Sequence, residues 1–186
     1  MPTGIPLRRV LPALALAVAL LVLPACGGSS SSSSDGAGAR PIATASPTTS
    51  AQKQKLAKTR FVANASLAAG ATYQWIVKPY RAGKFKKGAH RRTFALVKAG
   101  LAGTFAYNRL KAASENAKGD PTLAKLMAPV TAGIASLKDL PSKLRKGDDT
   151  GATVGTFDSL VNQVKKAGGE AGADVTNKVP ALSDLS

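Results

Sequence analysis

Residues 73–98, YQWIVKPYRAGKFKKGAHRRTFALVK, hold the densest set of side chains able to engage a ligand. Lys78, Arg81, Lys84, Lys86, Lys87, Arg91, Arg92 and Lys98 lie there, with Trp75, Tyr80 and Phe85 interleaved. Lysine and arginine neutralise phosphates, while aromatic rings stack on bases. The same rings settle at the level of lipid head groups, where basic residues attract anionic lipid. The segment therefore suits nucleic acid, an anionic membrane surface or a phosphate-rich wall polymer. A competing reading puts Trp75 and Tyr80 in a core stripe, because aromatics at helical spacing usually pack inward, and leaves the basic residues as a solvated loop.

Other chemistry is poorly supported. The chain has one histidine, His90, and one cysteine, Cys26. Metal sites need several His, Cys or carboxylate ligands in one place, and neither H-E-x-x-H nor paired C-x-x-C occurs. A Ser-His-Asp triad would have to use His90, and no G-x-S-x-G accompanies it. His90 reads most simply as a solvated polar residue. Gly100-Leu-Ala-Gly103 lacks the Lys-Ser or Lys-Thr of a phosphate-binding loop. Asp148-Asp149 precedes a helix start, where acids favour the helix dipole over acid–base or calcium chemistry. No catalytic residue, metal or cofactor is expected.

The positive charge is unevenly spread. The net charge is +16, and after Asp35 the next acidic residue is Glu115. Fifteen Lys and Arg lie between them, whereas nine basic and nine acidic residues follow from Glu115 onward. A field of one sign attracts polyanions and anionic surfaces. With a single cysteine the domain has no internal disulfide and must rely on its core.

Cys26 has its own context. Arg8 and Arg9 are followed by an apolar stretch of fourteen residues, 10–23, and by Pro24-Ala25-Cys26. A spanning helix needs about 20 apolar residues, so a cleaved export signal fits better. Leu23-Pro24-Ala25-Cys26 resembles the lipobox of bacterial lipoproteins, with Pro24 a less usual residue at its place. The resemblance covers about 26 residues. It implies that Cys26 receives a diacylglycerol and becomes the first residue of the mature protein, anchored on the outer face of the cytoplasmic membrane. Ser29–Ser34 and the Gly-, Thr- and Ser-containing stretch to Ser50 have too few bulky apolar residues to offset the entropy of ordering, and read as a tether. The alanine-rich composition with a Ser-Gly linker is similar to that of lipoproteins of high-GC Gram-positive bacteria.

From Gln52 onward the periodicity is helical. Val62, Ala65, Ala69, Tyr73, Ile76 and Tyr80 form a first stripe, ending near Pro79 because the residue before proline leaves the helical region. Phe94, Val97, Leu101, Phe105 and Leu110 form a second, over His90–Lys118, with Gly100 and Gly103 permitting close helix approach and Gly119 as a carboxyl-terminal cap. Asp120-Pro121 opens a third, with Leu123, Leu126, Val130, Ile134 and Leu137. Pro129 should kink or split it, and Pro141 argues for a further break, with Lys143–Gly151 a turn. Thr150 is a candidate N-cap for a fourth, carrying Val154, Phe157, Val161 and Val164 up to Gly168-Gly169.

The expectation is an all-α protein, a four-helix bundle behind a signal and a linker. Its parts are a signal at 1–25, a lipidated cysteine and linker at 26–50, a helical domain at 51–169 and a loose tail at 170–186. Export ranks anionic lipid and wall polymer above nucleic acid as partners of a non-enzymatic, membrane-anchored domain. A structural or protein-binding module, marked by a large apolar patch, and an enzyme, marked by a cleft gathering three or more polar groups, are the alternatives. A continuous positive face favours the anion-binding reading.

Overall fold

The computed structural model describes residues 49–185, which are mainly helical, with no β-strand among them. The lipobox, Cys26 and the signal and linker segments lie outside the described residues, apart from the last two positions of the linker.

Helix α1, Ser50–Thr72, starts at a capping box: the Thr49 hydroxyl accepts from the Gln52 N–H at 3.2 Å, and the Gln52 side chain accepts from the Thr49 N–H at 3.3 Å. It runs without interruption through a π-helical turn, Tyr73–Val77, into a last turn, α2, Lys78–Arg81. Pro79 therefore does not end the helix. It lies in the first turn of α2, after the wider π-helical turn has relaxed the ladder that a proline would otherwise break.

The π-helical turn also shifts the buried face. Ala65, Ala69 and Ile76 are buried as their spacing predicts, but Tyr73 and Tyr80 are exposed, and Val77 takes a core position outside the expected stripe. After the turn 82–91 comes α3, Arg92–Ala117. Its buried face keeps part of the bulky stripe expected. Phe105 and Leu110 are buried, but Phe94 is 54% and Val97 42% exposed, and the core-facing row is Leu96, Ala99, Gly103, Ala106, Leu110, Ala113 and Ala117. Those seven recur at three and four residues, and α3 packs most extensively on α1, which is itself lined with alanine. Small residues on both helices let the backbones come close.

Asp120 caps α4, Pro121–Ser136, accepting from the Leu123 N–H at 2.9 Å. Pro129 leaves α4 unbroken; it and Lys125, whose carbonyl loses its partner, both lie on the exposed side. Leu140–Lys146 forms a short helix, α5, where a turn was expected from Lys143: Pro141 occupies a first-turn position that tolerates it, and Gly147 closes the helix at φ 76°. Helix α6, Thr150–Glu170, buries Val154, Phe157, Val161 and Val164 as their spacing predicts. Helix α3 packs on α4 and α5, and α6 on α1 and α4.

Glycines set the close approaches. Gly103 leaves room for Phe157 and Pro141, whose atoms a Cβ would meet at 3.2 and 3.4 Å. Gly119 is not a left-handed cap: its φ is not positive, and a Cβ there would lie 2.8 Å from Ala57 Cβ.

The tail is packed rather than loose. Residues 173–181 run extended against α1, where the Lys178 N–H donates to the Ser66 carbonyl at 3.0 Å and the Thr176 N–H to the Ser66 hydroxyl at 3.2 Å. Ala171, Ala173, Val175, Pro180 and Leu185 are buried. Gly70 makes this possible, because a Cβ on it would strike the Lys178 carbonyl. Few apolar residues suffice for the tail, since backbone hydrogen bonds and small contacts fasten it. The buried cluster, from Phe61 to Leu185, belongs wholly to the compact unit Thr44–Ser186, which thus carries its own core and has what it needs to fold alone. No helix among the described residues is long and apolar enough to cross a membrane.

Candidate functional site

The π-helical turn, α2, the turn 82–91 and the start of α3 enclose an open cleft of about 390 Å³. Gln74, Trp75, Lys78 and Pro79 line it from one side, and Arg91, Phe94, Ala95 and Lys98 from the other. Ala95 and Lys98 lie one and four residues after Phe94, so one face of α3 presents the three together, and Arg91 adds its side chain from the N-cap. The turn adds Ala82, Lys84 and His90. Four Lys and Arg side chains and a histidine thus meet an apolar wall, and no carboxylate lines it among the described residues.

Lys98 is held by the rings. Its Nζ lies 4.2 Å from the centroid of Phe94 and 5.2 Å from that of Trp75, within reach of a cation–π attraction. Among the described residues, Lys78, Lys84 and Arg91 have no carboxylate within ion-pairing distance. The indole N–H of Trp75 is buried without an acceptor. Arg91 adopts φ 56°, ψ 29°, a left-handed conformation costly for a residue with a Cβ. Such strain collects where the surrounding structure must hold one geometry.

The cleft gathers half of the basic residues singled out by the sequence. Lys78, Lys84, Arg91 and Lys98 line it. Lys86 and Lys87 are exposed outside it. Arg81 pairs with Asp158 on α6 at 3.6 Å, a partner 77 positions away that no local reading of the charge run reveals. Arg92 is a structural residue: its Nε donates to the Phe85 carbonyl at 2.9 Å, and its guanidinium packs on Gly147.

The aromatic expectations divide in the same way. Trp75 is half-buried in the cleft wall. Tyr80 is exposed outside the cleft, its ring 6.1 Å from that of Phe85. Phe85 is 4% exposed and belongs to the core, so the expected contact role fails: an aromatic in a polar turn is the residue with most to gain by turning inward.

Phe94, Gln74 and His90 complete the cleft without having been singled out as contacts. The signal for Phe94 was present, since Arg91, Phe94 and Lys98 share a helical spacing with one another. The equally regular spacing of Phe94 with Val97, Leu101 and Phe105 assigns it to the core instead. No protein-family model, curated protein or solved structure matches this chain.

Proposed function

We propose that this chain is an exported lipoprotein, held by Cys26 on the outer face of the cytoplasmic membrane, whose helical domain binds an anionic component of the cell envelope, a lipid or a wall polymer. The four long helices, α1, α3, α4 and α6, act as a bundle that fixes the cleft at one of its turns. The observation that carries the reading is the cleft lining: Lys78, Lys84, Arg91 and Lys98 with no carboxylate. Unpaired cations beside a low-dielectric wall concentrate positive potential where an anion can reach it. The lopsided charge of the chain adds long-range attraction, and the resemblance to a lipobox supplies the address.

A cleft gathering more than three polar groups is also what an enzyme would show, and that reading keeps a place. What the cleft gathers, however, is charge of one sign, a glutamine and one histidine. These groups can fix and orient an anion. A nucleophile with a neighbouring base, or a pair of carboxylates, would be needed for the common hydrolytic chemistries.

The test is binding of the unit spanning residues 44–186 to anionic vesicles, neutral vesicles and teichoic acid across a salt series. This unit avoids the apolar stretch 10–23, which would itself partition into lipid. Binding to an anionic target that weakens steadily with salt is expected. Absence of binding to every anionic target at low salt would remove the reading.

A further inference from the structure

Charge alone does not account for the cleft. A site for a hydrophilic polyanion needs cations on an open surface, as Lys86 and Lys87 already provide. Here the cations surround a wall made of Trp75, Pro79, Ala82, Phe94 and Ala95. Phe94 stays 54% exposed, and Val97, three residues further along α3, is 42% exposed. Leaving a phenylalanine more than half in water forgoes about 1–2 kcal/mol of burial. The volume falls within the range of about 300–1,000 Å³ typical of small-molecule sites.

We infer that the cleft binds a phosphorylated lipid, its head group among Lys78, Lys84 and Arg91 and its apolar chain against Trp75 and Phe94. The inference rests on the anion-binding reading above and narrows it to one ligand class at one place. Arginine and lysine together suit a phosphate monoester carrying more than one negative charge, with the guanidinium able to give two parallel hydrogen bonds. Lys98, already over both rings, neutralises the junction between head group and chain. The chain covers the exposed face of Phe94.

Trp75 is the only tryptophan of the sequence, so its fluorescence reports on this cleft alone. The unit 44–186 is titrated with a monoacyl glycerol phosphate below its micelle concentration, with glycerol phosphate, and with a neutral monoacyl phosphocholine. The phosphorylated lipid is expected to give a saturable blue shift, at least tenfold tighter than either of the other two. Phe94→Ala is expected to weaken it about tenfold while leaving the helical circular dichroism and the melting temperature in place, because Phe94 is already exposed. Equal binding of glycerol phosphate would overturn the lipid inference and leave the anion-binding reading standing. Equal binding of the neutral lipid would overturn the role of the phosphate. No response of Trp75 to the phosphorylated lipid, while vesicles or teichoic acid still bind, would overturn the assignment to the cleft; loss of all three would overturn the broader reading with it.

Discussion

At the scale of single residues, two buried polar groups among the described residues are unpaired: the hydroxyl of Thr72 and the indole N–H of Trp75. They lie three positions apart, where α1 passes into the π-helical turn. A buried donor without an acceptor costs roughly 1–3 kcal/mol. Thr72→Val keeps the shape and removes the hydroxyl, so thermal denaturation should show a gain of about 1 kcal/mol, a rise of a few degrees in a domain of this size. A drop in melting temperature would mean that the hydroxyl has a partner in solution. Asp120 is the contrasting case. It caps α4 through Oδ1, and Oδ2 lies 3.7 Å from Lys58 Nζ, which also donates to the Ala171 carbonyl at 2.8 Å. Asp120→Ala removes the cap and the ion pair that links α1, α4 and the tail, and should cost about 2 kcal/mol or more in chemical denaturation.

At the scale of elements, the glycines separate close packing from helix propensity. Gly155 lies on the exposed side of α6 with open space beyond it, so Gly155→Ala should stabilise by about 1 kcal/mol. Gly70→Ala has the same intrinsic gain but drives a Cβ into the Lys178 backbone, and should destabilise by about 1–3 kcal/mol with earlier proteolysis of the tail. Opposite signs for one substitution in two helices, read by denaturant midpoints, check the close contact of the tail with α1. The same contrast explains what the sequence could convey. The stripes of α4 and α6 were legible because valine, leucine and phenylalanine recur at helical spacing on one face. Asp120-Pro121 announced a helix start because cap and first-turn proline are local rules. The faces of α1 and α3 were less legible, since alanine marks a core only when a second alanine face meets it. The π-helical turn leaves no mark in periodicity, and it shifts the register of Tyr80 beyond it. Of the cleft, the basic residues and Trp75 were visible. The diversion of Arg81 to Asp158 and of Arg92 to the Phe85 carbonyl was not, because both depend on how distant segments meet.

At the scale of the whole molecule, a net charge of +16 gives any anionic surface some attraction. The account claims more than that: attraction is general, but binding is seated where Lys78, Lys84, Arg91 and Lys98 converge on the cleft. Equal losses of charge at different places separate the two ideas. One variant of the 44–186 unit carries Lys78→Gln, Lys84→Gln, Arg91→Gln and Lys98→Gln. The other carries Lys125→Gln, Lys138→Gln, Lys143→Gln and Lys146→Gln, four exposed residues away from the cleft. The deciding measurement is sedimentation of both with anionic vesicles at one fixed ionic strength, after circular dichroism has confirmed that each is folded. The account predicts that the cleft variant loses affinity more than tenfold, while the other stays within about threefold of the parent. Equal losses in the two variants would contradict it, and would leave the charge as a property of the surface as a whole.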